Sequence, residues 1–549
     1  MIRLNADRII LANALFTGLN DKAEPGALAV VDDRIVYAGP VEGAAAFQGS
    51  ATRVKDYGDA LIVPGFHDSH LHFFHSALYS SPLAMNYLGT SEADYVAHLA
   101  ALAARRPAGS WLLAQGWREY RWDVPVLPSK HSLNAVYPNQ PVALYSGDAH
   151  TLWVNSAALD ALGITRESEP PAGGSYDRDD QGELTGIIRE AAAMELMPRI
   201  VAAFSDEELC AAYRSFMDRL LANGITSVCD MSLMAMPGLD FVRDDLYEKL
   251  EDNGELAIRV HLFPTLLENL DRFEAMHRRF AGPFLRAPGL KQFFDGVSSQ
   301  HTAWLNQPYA NARFEGDCGR PTIEPATMRA LVLSAAQKGY AVRIHAIGDE
   351  AIHEALSIFE EARRTFGPLD QGQNCLEHLE NLQPADIARL AALDILAAAQ
   401  PPHITLDPGG PERDLGSKRT PYMWPFATFL SEQVKVAFGT DSPVVDVNSM
   451  DVLYAAVTRQ DPRTHKPQGG WLPQERITMA DAIRAYTFGS AQAAGRADEL
   501  GTLEAGKLAD FAVLDKNLLT VSEDDIQRTH VKATYVGGQC VYELGDTLR

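Results

Sequence analysis

Four histidines fall within nine positions in the stretch PGFHDSHLHFFH, Pro64 to His75. His70 and His72 are separated by two. On an extended strand the side-chain period is two, so both imidazoles face the same way. Two imidazoles on one face form half of a metal site, and the other half must come from elsewhere in the chain. His345 closes the β-branched run YAVRIHAIGD, His378 sits in NCLEHLE and Asp441 ends VKVAFGTDSP. Four imidazoles and a carboxylate suit Zn²⁺ or a similar divalent ion. The His70/His72 pair, His345, His378 and Asp441 fall at the same end of four different expected strands.

Lys291 is the odd member of the set. In GLKQFFDG it alternates in phase with Phe293 and Asp295, which should turn it inward. A buried ammonium beside divalent ions is disfavoured by lost solvation and by like charge. It is then either paired to a carboxylate or carboxylated by CO₂, and a carbamate is anionic and can bridge two ions. By strand parity His67 faces away from His70, so His67 and His75 are read as packing or ligand-supporting residues.

The elements that would position these groups form a repeating pattern. Short β-branched runs occur at ALIVPGFHDSHLH, 224–230, 257–263, 289–296, 340–349, 374–380, 393–403 and 434–443. Helical Ala/Leu/Glu-rich patterns such as TMRALVLSAAQKG and PADIARLAAL lie between several of them. Eight such strands predict an α/β fold, a (β/α)8 barrel with its site at the strands' C-terminal ends. Residues 61–78 and 221–489 are assigned to the barrel. Residues 79–220 are too long for one crossover and are read as an inserted α/β subdomain. Residues 1–60 and 490–549 carry short strands with turn signals, expected to pair as a small β-sandwich built from both termini.

Composition narrows the function. The 549 residues carry a formal charge of −24, which disfavours nucleic acid as a partner. No apolar run reaches the roughly 18 residues of a spanning helix, so no membrane partner is expected. Five widely spaced cysteines without a CxxC, and an N-terminus unlike a signal peptide, predict a cytoplasmic protein.

The chain resembles the amidohydrolase superfamily, in particular its YtcJ-like branch with the N-substituted formamide deformylases. The resemblance is carried by PGFHDSHLH, GDAHTLWVNSAAL (147–159), GELTGIIREAA (182–192), LKQFFDG, HAIGDEAI (345–352), LEHLE, AQPPH (399–403), GTDSPV and GTLEAGKLADFAVLD (501–515). It departs at His67, where the family usually has an aliphatic residue. The resemblance implies His70, His72, carboxylated Lys291, His345 and His378 as ligands of one or two Zn²⁺ or similar ions, with Asp441 both metal-bound and catalytic. It also implies hydrolysis of a non-peptide C–N bond, of amide or N-formyl type, by a metal-bound hydroxide. Asp441 then serves as general base and acid, with His378 or His345 assisting the oxyanion. Deamination of a ring amine at a single metal, cyclic-amide hydrolysis and a non-catalytic regulatory role on the same fold are the alternatives. His150, His403, Trp117, Trp304 and Asp295 are the candidate substrate contacts, with Arg189 and Glu190 behind them. A small-molecule substrate is expected, and at the family level a homodimer.

Overall fold

A computed structural model describes residues 5–147, 150–171, 173–233 and 240–545. Asp148 and Ala149 of the GDAHTLWVNSAAL stretch lie outside these. The chain divides into two compact units, one of Met1–Phe73 with Met217–Arg549 and one of Phe74–Phe216.

Among its described residues, the first unit has a parallel strand in each of the eight β-branched runs named above. They are β1 (Phe66–Leu71), β2 (Ile225–Met231), β3 (Arg259–Phe263), β4 (Gly289–Phe293), β5 (Ala341–Ala346), β6 (Cys375–His378), β7 (Leu396–Ala399) and β8 (Val436–Phe438). β1, β2 and β3 pair in one parallel sheet, which Leu285–Arg286 extends, and β4 to β8 pair in a second. Every residue of β2 is buried, as expected of a parallel strand covered on both faces, where apolar residues run continuously instead of alternating.

Backbone bonds also run between the two sheets. Lys291 N donates to Pro264 O at 2.8 Å and Leu266 N to Lys291 O at 2.7 Å, joining β3 to β4. Asp441 N donates to His70 O at 2.7 Å and His72 N to Ser442 O at 2.8 Å, joining β8 to β1. Gly439 makes that second seam possible, because a Cβ there would lie 2.6 Å from His70 N and 2.9 Å from Asp68 Oδ1.

The crossover helices carry ordinary end signals. Pro325–Gln337 and Pro384–Leu393 both open on proline, whose fixed φ suits a first helical turn. The helix Asp349–Phe366 has Asp349 and Glu350 in its first turn and Arg363 and Arg364 in its last, each charge matched to the helix dipole.

Strands from both ends of the chain form one eight-stranded sheet. Phe511–Leu514 pairs antiparallel with Leu61–Pro64 and with Val531–Val536, and Arg8–Leu15 continues the sheet toward Glu24–Val31 and Arg34–Gly39. The sheet packs two apolar clusters, one around Ile10, Leu28, Ile62 and Phe511 and one around Ile9, Ala27 and Ala29. This sheet is tied to β3 by a two-pronged ion pair. Arg259 Nε lies 2.6 Å from Asp510 Oδ2 and Nη2 lies 2.8 Å from Oδ1, with both side chains buried.

The second unit has its own six-stranded mixed sheet, from Ala84–Asn86 at one edge to Gly174–Arg178 at the other. Its core is aromatic, with Tyr95, Trp117, Trp122 and Trp153 packed around Leu99 and Leu133.

Because Asp510 neutralises a guanidinium that has no access to water, Asp510→Ala should destabilise the fold by about 3–5 kcal/mol, the usual cost of orphaning a buried charge. Chemical denaturation of the two proteins checks this, and a loss below about 1 kcal/mol would rank the pair with exposed ones.

Candidate metal centre

The ends of β1, β6 and β8 bring His70, His378 and Asp441 together, with one ligand atom of each within 4.8 Å of the others. His72, Lys291 and His345 complete the group. His70 and Lys291 are fully buried, and the other four are 4–8% exposed.

Each of three imidazoles is fixed through Nδ1. His70 Nδ1 lies 2.6 Å from Glu377 Oε2, His72 Nδ1 lies 3.0 Å from the Met231 carbonyl and His378 Nδ1 lies 2.9 Å from Gln400 Oε1. All three partners are acceptors, so each Nδ1 carries the proton and each Nε2 presents a lone pair. Two of those lone pairs meet one carboxylate oxygen: Asp441 Oδ1 is 3.4 Å from His70 Nε2 and 3.1 Å from His72 Nε2. Lone pairs facing an anion repel unless a cation stands among them. The donor set therefore fits a metal, with ligand-orienting acceptors already in place.

The protonation states agree. Burial, and then the Lys291 charge, lower His70 to about 4 and His345 to about 3, and burial with the neighbouring His345 ring lowers His378 well below its usual value. All three are therefore neutral at pH 7, the form that binds metal. Lys291 Nζ has no hydrogen-bond partner among the described residues and sits 4.7 Å from the centre of the Phe293 ring; burial lowers it to about 8.

The backbone is bent where two of these side chains sit. His378 and Asp441 have φ of 73° and 58°, in the left-handed region that side chains seldom occupy. At His378 the bend breaks strand alternation, so that Glu377 and His378, though adjacent, both reach the same centre.

Glu377 is the residue that strand parity hides. It bridges His70 to Arg343, whose Nε lies 2.6 Å from Glu377 Oε1, and all three are buried. Burial would raise the Glu377 carboxyl, but Arg343 and His70 hold it down to about 2. Asp68 likewise accepts from His70 N, Thr440 N and the Thr440 hydroxyl, pinning β1 to β8. Its place directly between His67 and Ser69 in the quoted motif was the available signal. Glu380, two residues beyond His378, is pushed up to about 8 by burial and by the Asp295 and Asp441 charges.

The remaining candidates separate. His403 joins the site, its ring parallel to that of His378 (7°) with centres 6.4 Å apart and its buried Nε2 without a hydrogen-bond partner among the described residues. Asp295 lies 3.7 Å from His345 Nε2, but its carboxylate is engaged by the Trp304, Ile347 and Gly348 amides at 2.7–3.0 Å. Trp304 stacks edge-on to Phe294 and passes so close to Gly348 that a Cβ there would meet its carbonyl at 2.0 Å. Both residues therefore shape the loops.

Trp117, His150, Arg189 and Glu190 belong to the second unit. Trp117 is buried in its core and donates to the Leu144 carbonyl. His150 is half exposed and pairs with Glu190 at 2.8 Å, while Arg189 makes a two-pronged pair with Asp177. His75, also in that unit, is buried beside Phe74 and Tyr79. His67 lies apart from the His70 cluster, against Cys229 and His261.

The amidohydrolase family signature matches residues 53–542. The chain belongs to the amidohydrolase family. Amidohydrolases of this kind are metal-dependent, and the His/Asp group described above is where such dependence would reside. Similar proteins include Long After Far-Red 3 of Arabidopsis thaliana, 30% identical over 98% of this chain and 92% of its own length. The putative amidohydrolase YtcJ of Bacillus subtilis is 30% identical over 88% of this chain and 89% of its own. An N-substituted formamide deformylase of Arthrobacter pascens is 26% identical over 92% of each chain. Among solved structures, an uncharacterized metal-dependent hydrolase from Pyrococcus furiosus superposes with a TM-score of 0.75. It is 26% identical and covers 93% of this chain and all of its own. No helix among the described residues is long and apolar enough to cross a membrane.

If Glu377 sets the tautomer of His70, Glu377→Gln should weaken metal binding about 10- to 100-fold, the usual effect of losing a ligand's orienting partner. Competition with a chelator measures it; unchanged affinity would make Glu377 a partner of Arg343 only.

Proposed function

We propose that this amidohydrolase cleaves a non-peptide C–N bond of a small molecule, of amide or N-formyl type, with Asp441 moving the proton. The observation that carries the reading is the convergence of the His70 and His72 Nε2 lone pairs on one Asp441 oxygen. His70, His72, His345, His378 and Asp441 would hold Zn²⁺ or a similar divalent ion. Such an ion, once bound, supplies Lewis acidity to a carbonyl oxygen and acidifies water.

The protein's own groups do the rest. Asp441 would accept a proton from the attacking water and return it to the departing nitrogen. His345 and His378, both neutral, would serve as ligands of that ion. His403 offers a buried, unspent ring nitrogen for orienting the substrate. Burial of all these groups excludes bulk water and strengthens each contact.

Lys291 is proposed to act as a carbamate bridging two ions. The buried Nζ without a partner supports this, since a carbamate would fill the same space with an anion. The tight grouping of His70, His378 and Asp441 also suits a single ion, the arrangement expected of a ring-amine deaminase. Carbamate content distinguishes the two.

The scaffold reading follows the same lines. The bonds at both seams, β3–β4 and β8–β1, support closure of the eight strands into a (β/α)8 barrel. The two apolar clusters of the terminal sheet support a sandwich built from both chain ends. The insert then corresponds to the second compact unit.

Asp441→Asn should keep metal at wild-type stoichiometry and lose about 10²- to 10⁴-fold in kcat on a panel of N-formyl, N-acyl, carbamate and cyclic-amide substrates. A near-wild-type rate would remove Asp441 from proton transfer. Dialysis against a chelator should abolish turnover, and divalent metal should restore it. In Lys291→Ala, loss of metal together with loss of bicarbonate dependence is the outcome expected of a bridging carbamate.

A further inference from the structure

Below the His70 cluster, a second set of donors meets in the protein interior. His67 of β1, Cys229 of β2 and His261 of β3 are 2%, 0% and 0% exposed, and one ligand atom of each lies within 4.8 Å of the other two. The His67 and His261 rings stack with centres 5.0 Å apart, and Cys229 Sγ is 3.6 Å from His67 Nε2. We propose that these three residues form a second metal site, separate from that of His70, which takes one soft d¹⁰ cation of the zinc(II) or copper(I) kind.

Three observations point to a ligand. His261 Nδ1 is 3.1 Å from the Val228 carbonyl, so it carries the proton and the lone pair is on Nε2. That Nε2 is buried and has no hydrogen-bond partner among the described residues. An apolar site would not retain a second imidazole with a polar atom in the same condition, yet His67 Nδ1 is also without a partner. Two neutral imidazoles and one sulfur are the donors that soft or borderline ions prefer, and they exclude magnesium or calcium, which require oxygen.

The surroundings favour the thiolate that such an ion needs. Burial pushes the Cys229 thiol up to about 12, so the free protein holds it protonated. Arg343, however, stands beside it, and Arg343 Nη1 has no hydrogen-bond partner among the described residues. On binding, the S–H proton leaves to solvent, the metal–sulfur bond forms and no electron is transferred. Arg343 can then donate Nη1–H to the new anion while its Nε remains on Glu377. Since Glu377 orients His70, one arginine would touch the supports of both sites. Further positive charge comes from Arg496, which faces His67 and His261, and from Arg286 near His261, so a strongly charged ion without the thiolate is disfavoured. With no exposed edge, the site would load as the chain folds.

The experiment uses the full-length chain carrying Cys540→Ser, which removes an exposed cysteine. One sample is refolded with cobalt(II) as the zinc probe and another with copper(I) under argon. A Cys229-dependent site in cobalt gives a sulfur-to-metal charge-transfer band, which the His70 set cannot produce because it contains no sulfur. Adding Cys229→Ser, or His261→Asn, which keeps the bond to Val228 but removes Nε2, should abolish the band and lower bound metal by one equivalent. A site selective for copper(I) would instead show that one-equivalent loss only in the copper sample. Absence of the band together with no Cys229-dependent copper overturns the proposal, and so does a band that survives Cys229→Ser. If the variants do not fold, the protein with native Cys229 and His261 still decides the matter, because it must show the band or hold copper(I) against a chelator.

Discussion

The structure around the site depends on where three protons sit. His70, His72 and His378 each give an Nδ1 proton to a fixed acceptor: a carboxylate, a backbone carbonyl and a side-chain amide. Once those bonds are made, the ring orientations and the positions of the Nε2 lone pairs are settled. The rest of the scaffold serves this arrangement. Arg343 holds Glu377, Asp68 holds β1 against β8, and Gly439 lets the two strands approach. The cost is borne as a repulsive cluster of lone pairs around the Asp441 carboxylate, with left-handed backbone at His378 and Asp441. A site so arranged is poorly satisfied without a cation.

Much of this was legible in the sequence because two of its rules are simple. The eight β-branched runs mark the strands, and residues at their ends mark the centre. His70, His72, His345, His378 and Asp441 follow from spacing and position, and Lys291 from its phase with Phe293. Glu377 was hidden because alternation assigns it to the face opposite His378. Only the φ of 73° at His378 brings both inward, and a backbone angle at one residue leaves no trace in residue types.

The substrate candidates show a different limit. Trp117 ends a strand and Trp304 lies in the loop after β4, and composition alone cannot separate a pocket wall from packing. Trp117 is enclosed by Trp122 and Trp153, and Trp304 is held by its backbone to Asp295. Asp295 itself, a carboxylate in the right register, is occupied by three amides. His403 was recoverable because it follows a strand directly, where a polar side chain has few reasons to be except the site. His67, by contrast, was correctly separated from His70, while its contacts with Cys229 and His261 depend on strand neighbours that sequence spacing does not specify.

The seam between β1 and β8 has a further consequence. Its bonds join residues 370 or more positions apart, as in the contact of Thr440 with Asp68. Contacts of such long range are made late, because the entropy of closing so large a loop is paid before the contact returns anything. Asp441 and His70 therefore meet only when most of the chain between them is in place. A partly synthesised or partly folded chain can display His70 and His72 but cannot assemble the complete donor set. An ion captured at this centre would then report completed folding, and would hold β1 and β8 together against reopening.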